Sequence, residues 1–346
     1  MANKHFSPTK NIFKQKFSLF LATFLLIHYL WYRKHTTMTL QQFEYILAVA
    51  RYGHFGRAAD ACNVTQPTLS AMIGKLEEEV GAKLFDRNRQ PIRPTPVGEK
   101  VIQRAREVLE QAESIKDIIL EEQQSMQGTF RLGILPTIAP YLLPRFFPQL
   151  MKKYPALDIR VREMKTHEIK SALLQGDIDA GILAAIDGLE GYAQTSLFYE
   201  KYVGYVSRED PLYAMEYIRT ADVAGSGQLW LLDEGHCFRD QMVRFCQMKA
   251  SQTSQLAYSL GSMETFMRMV ESGMGITFIP ELASLQLNGS QRELVRPFAI
   301  PVPTRELLLL TNHNFIRQTL LHVLVDEIQA CVPKAMLKLN AGQTLV

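Results

Sequence analysis

The segment LLDEGHCFRDQMVRFCQM, residues 231–248, places two cysteines, Cys237 and Cys246, nine positions apart. That spacing fits neither a zinc motif nor a thioredoxin-like pair. On one continuous helix the two Cα atoms would stand about 13 Å apart by rise alone, whereas a disulfide needs less than about 7 Å. Either the two thiols never bond, or bonding remodels the chain between them. His236 and Arg239 flank Cys237, and either could favour the thiolate, the form that attacks peroxide. Cys246 sits among Val243, Phe245 and Met248, a more apolar setting. One activated thiol and one distant thiol would make a redox switch. Two small apolar residues kept reduced inside a cell is the plainer alternative. Cys62 reads as core packing and Cys331 as a bystander.

The elements around these thiols form an α/β body. After Gly128 short apolar strands alternate with helical stretches: strand 130–136, helix 140–153, strand 158–164, helix 167–175 and strand 179–185. That βαβαβ order predicts a parallel sheet with helices on both faces. Further strands are expected at 201–207, 275–280 and 306–312. Two α/β subdomains joined by crossover strands would leave a cleft at strand carboxyl ends, where such folds bind ligands. Thr137 reads as the N-cap of the helix after the first strand. Asp177 and Asp179 read as a turn entering a strand, and His167 as surface. No Gly-rich phosphate loop, paired-His metal helix or nucleophile elbow is present. Neither a metal nor a cofactor is expected, and enzyme function is not.

Ahead of this body lies an all-helical pattern. Leu40, Phe43, Ile46, Leu47 and Ala50 keep helical spacing up to Gly53, and a short helix with the small pair Ala58-Ala59 covers 56–62. Thr65 is the expected N-cap of a third helix, with Pro67 in its first turn and Leu69, Met72, Ile73, Leu76 and Val80 on its buried stripe. Its other face offers Gln66, Pro67, Thr68, Ser70, Ala71 and Lys75. This is a helix-turn-helix whose third helix would enter the major groove. Between 83 and 104 lie Lys83, Arg87, Arg89, Arg93, Lys100 and Arg104 against Asp86 and Glu99, around the stiff loop QPIRPTP. A basic wing beside a reading helix suits phosphate contacts. A linker helix over 97–123 carries Val101, Ala105, Val108, Ala112, Ile115 and Ile119 in a heptad seam, which predicts a dimer matched to two operator half-sites.

Composition alone conceals this. The 346 residues carry a net charge of +3, with 47% hydrophobic and 21% charged residues. Those values exclude disordered, collagenous and disulfide-framework classes. Residues 1–37 hold Lys4, Lys10, Lys14, Lys16, Arg33, Lys34 and no acid, so the rest of the chain is slightly acidic. Within the leader, the apolar run 17–32 would span roughly 24 Å as a helix, short of a bilayer core of roughly 30 Å, and no small-x-small cleavage site follows. An anchor, an uncleaved signal and a cytosolic appendage are alternatives. The leader is read here as upstream sequence, with Met38 as the start.

Helix-turn-helix, linker and two-part α/β body together resemble the LysR-type transcriptional regulators, over essentially all of 38–335. The segment FGRAADACNVTQPTLSAMIGKLEEEVGAKLFDR, residues 55–87, is close to that family's DNA-binding signature. Gly74 departs from it, where relatives usually carry a basic residue. Members of the family begin at the helix-turn-helix, which supports Met38. GHCFRDQ followed by FC resembles the family's peroxide-sensing members. The resemblance implies a winged helix-turn-helix (38–96), a dimerising linker helix (97–124), a periplasmic-binding-protein-like regulatory domain of two subdomains (128–335) and a short, loosely held tail (336–346). It further implies a cytoplasmic activator of oxidative-stress genes, in which Cys237 reacts with hydrogen peroxide and Cys246 resolves it as an intramolecular disulfide. Thr137 and Thr166 would place hydroxyls near the peroxide oxygens beside His236, and Arg305 would join Arg239 in favouring the thiolate, Arg305 being the one the resemblance supplies. Its implied partners are operator DNA, contacted by Gln66, Pro67, Thr68, Ser70, Lys75, Arg87 and Arg93, further copies of itself in a homodimer or homotetramer, RNA polymerase, and a resetting thiol reductant. The rival reading keeps the regulator and lets a small organic metabolite fill the cleft, the cysteines being passive.

Overall fold

The computed structural model of the chain describes residues 38–224, 228–233, 235–246 and 262–346. The leader, 1–37, lies outside them. The chain divides into two compact units, one up to Glu113 and one from Ser114 to Val346.

The first unit opens with helices α1 (Leu40–Tyr52), α2 (Phe55–Ala61) and α3 (Gln66–Val80). Thr39 and Gln42 form a capping box at the start of α1. Gly53 ends it in the left-handed region at φ 60°, where a Cβ would also press to 2.9 Å from Pro91 Cβ. Thr65 caps α3 by accepting from the Thr68 amide. Helix α3 buries Leu69, Ile73 and Leu76 against Ile46, Val49 and Ala58, each such aliphatic side chain contributing about 1.5–3 kcal/mol of transfer free energy. Met72 and Val80 are only half-buried, and the fourth buried position is a carboxylate, Glu77. Strands β1 (Phe85–Asp86) and β2 (Arg93–Pro94) pair antiparallel as the wing.

Helix α4 (Pro96–Glu122) follows at once. Its first turns pack into the helix-turn-helix core through Ile102 and Ala105, and Gly98 lies so close to Leu84 that any Cβ would collide with its carbonyl. Ile102, outside the expected heptad, is buried deeper than Val101. Farther along, the apolar seam stays uncovered: Val108, Ile115 and Ile119 are 43%, 60% and 53% exposed.

The second unit is built on β3 (Gly128–Ile134), α5 (Ala139–Lys153), β4 (Leu157–Glu163), α6 (Thr166–Leu174), β5 (Ala180–Ala184) and β6 (Ala193–Val206). There follow α7 (Thr220–Ala224), β7 (Leu229–Trp230), α8 (Cys237–Phe245), α9 (Met263–Glu271), β8 (Ile276–Pro280), α10 (Glu281–Ser284), α11 (Gly289–Arg292), β9 (Val295–Pro297), β10 (Val302–Thr311), α12 (Gln318–Cys331) and β11 (Gln343–Leu345). The sheet order is β4-β3-β5-β10-β6-β8-β7, with β9 on β6 and β11 on β10. β3 runs parallel to both β4 and β5, as βαβαβ predicts. β10 runs antiparallel between β5 and β6, while β6 continues to pair with β8. These long strands join the two halves. The sequence pattern starts β6 at 201. It begins at Ala193 because its first half pairs with β10 while leaving Gln194, Thr195 and Ser196 exposed, so the polar side chains hide the strand.

Two expectations are corrected. Thr137 does not cap the next helix, since α5 starts at Ala139 behind Ile138 and makes no side-chain cap bond. Nor is the tail loose: β11 pairs parallel with Val302–Thr304, and the Val346 amide donates to the Thr304 carbonyl at 3.1 Å. Asp179 holds Arg131 in a short ion pair, and His167 is exposed.

Candidate redox site and DNA-reading surface

The site assembles at strand carboxyl ends. Thr137 follows β3, Thr166 opens α6 after β4, and Cys237 opens α8 after β7. Arg305 reaches in from β10. It is buried, and its Nε and Nη2 donate to Glu200 Oε2 at 2.9 and 2.7 Å. Its Nη1 donates to Thr137 Oγ1 at 3.1 Å and Nη2 to the Thr137 carbonyl at 3.1 Å. The guanidinium also lies over the rings of Tyr202 and Phe238 at 5.6 and 5.5 Å. Glu200 Oε1 accepts from the Leu282 amide at 3.0 Å, so this buried carboxylate is held by three donors. Burial pushes Glu200 up while Arg305 and the Leu282 amide pull it down. The guanidinium keeps its charge, its own affinity for the proton raised by Glu200 against the cost of burial.

Cys237 is buried at the first position of α8. Burial pushes its thiol up, and three neighbours work against that: the Thr166 hydroxyl, the Arg305 charge and the Phe238 amide of the helix N-terminus. Thr166 Oγ1 makes no hydrogen bond of normal geometry, yet its buried hydroxyl lies close enough to the sulfur to pull the thiol down. Of the two sequence neighbours expected to activate the thiol, His236 is disfavoured as a cation. His236 is held below its ordinary value, first by burial and then by Lys165, with Asp233 opposing. Its Nε2 stands 3.0 Å from Asp233 Oδ1 but out of line for a hydrogen bond, and Asp233 in turn pairs with Lys165 at 3.2 Å. Arg239 is half-buried on α8, and a cation that pulls the thiol down is Arg305, distant in sequence.

Cys246 is the C-cap of the same helix, buried, with its thiol pushed up to about 12 by burial. Helix α8 has nine residues, so the two Cα atoms are separated by its full length, roughly 13 Å at 1.5 Å per residue. All four cysteines are free thiols. Cys62 and Cys331 are half-buried with thiols raised by burial, and Cys331 Sγ donates to the Ile328 carbonyl.

Between Cys237 and Cys246 sits Gln241, almost fully buried. Its Oε1 accepts from Tyr202 Oη at 2.6 Å, and its Nε2 donates to the Val346 carbonyl at 2.8 Å and, more weakly, to the Ala185 carbonyl at 3.3 Å. Glu200 and Gln241 were not singled out by sequence reasoning. Glu200 gives no local signal because its partner is 105 positions away. Gln241 stood within the quoted motif, and its placement four residues after Cys237 was the available hint.

In the first unit, Gln66, Pro67 and Thr68 are exposed at the start of α3, Lys75 is exposed farther along, and Arg93 is exposed on the wing. The Thr68 hydroxyl shares a 2.8 Å bond with Thr65 Oγ1. A side chain at Gly74 would meet nothing within 4 Å, so the missing basic residue leaves open space. Arg87 departs from the expectation of a free phosphate ligand. Its guanidinium lies 4.9 Å from the Phe55 ring centroid, 3.4 Å from Ser70 Oγ and 3.4 Å from the buried Glu77 Oε2. Glu77 also accepts from the Leu84 amide at 2.9 Å and Lys83 at 3.0 Å, and these donors hold its carboxyl below the usual range against burial.

Two family models divide the chain between them: the helix-turn-helix of the bacterial LysR family over residues 40–99 and the LysR substrate-binding domain over 123–331. The chain belongs to the LysR family of bacterial transcriptional regulators. It is 33% identical over 304 residues to a hydrogen peroxide-inducible genes activator of Dickeya chrysanthemi, covering 88% of this chain and 99% of that one. It is 36% identical to the DNA-binding transcriptional dual regulator OxyR of Escherichia coli, covering 71% of this chain and 80% of the relative. Among solved structures, full-length OxyR variant protein of Pseudomonas aeruginosa superimposes with a TM-score of 0.68 at 34% identity, over 86% of this chain and 99% of that one. OxyR of Porphyromonas gingivalis is 51% identical over 63% of this chain and 99% of its own, with a TM-score of 0.59.

Proposed function

We propose that the chain is a peroxide-sensing, DNA-binding transcriptional activator switched by a disulfide between Cys237 and Cys246. The observation that carries it is the placement of Cys237 at a helix N-terminus beside Thr166 and the Arg305 charge, with a second buried thiol capping the other end of that helix. The Cys237 thiolate attacks one peroxide oxygen. The O–O bond breaks, the sulfur keeps one OH as sulfenic acid, and the departing hydroxide takes a proton to become water. Arg305 donates to Thr137 Oγ1, which leaves the Thr137 hydroxyl proton free to be donated toward a peroxide oxygen. The Cys246 thiolate then attacks the sulfenic sulfur, forming S–S and releasing the second oxygen as water. A helix of nine residues separates the thiols by about twice the Cα span a disulfide tolerates, so α8 must unwind.

The readout is a change in how regulatory domains pair, passed to two helix-turn-helix units on operator half-sites. The uncovered seam Val108, Ile115 and Ile119 supports a homodimer, with a homotetramer as its doubling. A cytoplasmic location, contact with RNA polymerase and reduction by a cellular dithiol complete the cycle. Among the described residues no helix is long and apolar enough to cross a membrane. Promoter activation by peroxide in cells carrying wild-type or Cys237→Ser protein tests the reading: the variant should be silent. Activation indifferent to both cysteines, together with saturable binding of an organic ligand, would establish the metabolite reading instead.

A further inference from the structure

The carboxy-terminal strand reaches the middle of the switch helix, and the mechanism above does not use that contact. Gln241 lies one turn into α8 and its amide is tied to three separate parts of the fold: Tyr202 on β6, the Ala185 carbonyl just past β5, and the Val346 carbonyl just past β11. Tyr202 and Ala185 belong to the large sheet. Val346 follows a three-residue edge strand whose one ladder among the described residues is with Val302–Thr304. Thr344 and Leu345 are exposed and Gln343 is half-buried, so beyond the Val346 side chain against the core β11 has little burial of its own to hold it. The bond between Gln241 Nε2 and the Val346 carbonyl, at 2.8 Å, therefore joins a weakly held strand to the one helix that must come apart for Cys237 and Cys246 to meet.

We propose that β11 and Val346 act as a latch on the reduced form, with Gln241 as the positioning residue that engages it. While α8 is helical the Gln241 amide holds Val346 in place, and Val346 in return steadies the helix between the two thiols. Formation of the disulfide withdraws Gln241, and the strand loses its anchor. The latch thus slows the resolving step, in which Cys246 displaces water from the Cys237 sulfenic acid, and leaves the first reaction of Cys237 with peroxide unchanged. Oxidation should expose the carboxy-terminal segment as a consequence. This rests on the disulfide reading above.

Two measurements on the full chain test it. Hydrogen exchange on the wild-type protein, reduced and then oxidised with hydrogen peroxide, follows the amides of residues 343–346. The expected result is protection in the reduced form that is lost on oxidation; equal protection in both forms overturns the latch. The second measurement compares wild type with a chain lacking residues 343–346. Disulfide formation from the sulfenic acid should be about 5-fold faster in the shortened chain, the equivalent of one neutral hydrogen bond. Consumption of peroxide by Cys237, read in a Cys246→Ser background, should be unchanged by the deletion. An unchanged resolving rate overturns the latch. If the deletion unfolds the domain, both rates change together and the wild-type exchange result decides. If wild-type protein forms no Cys237–Cys246 bond at all, the disulfide reading fails and the latch with it; a normal disulfide with an unmoved tail sinks the latch alone.

Discussion

Cys237 and Cys246 stand at opposite ends of a single nine-residue helix, both buried and both with thiols raised by burial. The proposed Cys237–Cys246 disulfide therefore requires α8 to come apart, and on that reading the stability of the helix sets the equilibrium between the two forms. Arg244 is exposed on it. Replacing it with glycine should weaken the helix by about 1 kcal/mol and favour the disulfide by roughly 5-fold. Titration with a defined thiol redox buffer, scored by mass spectrometry, would show the midpoint move toward the disulfide; an unmoved midpoint would mean that α8 does not unwind.

Arg305 should matter to both chemistry and folding. It pulls the Cys237 thiol down, so Arg305→Gln should shift the pH profile of Cys237 alkylation to higher pH, measured in a Cys246→Ser background. The same change leaves Glu200 buried without its cation, which should cost about 3–5 kcal/mol of unfolding free energy. Arg239→Gln should shift the alkylation profile less than Arg305→Gln does, because Arg305 lowers the thiol from a buried position beside it.

A pH effect follows from His236. Its pKa is lowered in the folded chain, chiefly by burial. As pH falls below the unfolded value of about 6.5, the unfolded chain takes up a proton that the native site refuses until its own lower pKa is reached. Stability contributed by the neutral imidazole is thus present above that value and lost through the window beneath it. Denaturant unfolding between pH 7.5 and 5 should show a steeper fall for wild type than for His236→Gln. Parallel curves would contradict the assignment.

Much of the architecture was legible from local pattern. Gly53, Thr65 and the apolar stripe of α3 mark a helix-turn-helix because caps and periodicity are local signals. The βαβαβ order gave the parallel half of the sheet for the same reason. What escaped was set by distant partners. Only the family resemblance pointed to Arg305, and no local pattern announces that it is fixed on β10 by Glu200, 105 positions away. Thr137 looked like a cap, and its hydroxyl instead meets Arg305, 168 positions away. The tail looked loose because a three-residue edge strand carries no hydrophobic alternation.

The wing separates two kinds of arginine. Arg93 is exposed, so Arg93→Ala should weaken binding to all DNA sequences and lower the salt slope by about 0.9, with folding untouched. Arg87 holds the buried Glu77, so Arg87→Ala should lower both affinity and thermal stability. Salt-dependent binding isotherms beside melting curves distinguish the two.

The most direct measurement is a disulfide map of the full chain after treatment with one equivalent of hydrogen peroxide, made by peptide mass spectrometry without reductant. The expected product is one intramolecular Cys237–Cys246 bond, with Cys62 and Cys331 still free and promoter activation rising in step. Activation while Cys237 and Cys246 remain free thiols, or while Cys237 is bonded to Cys62 or Cys331, would contradict the account.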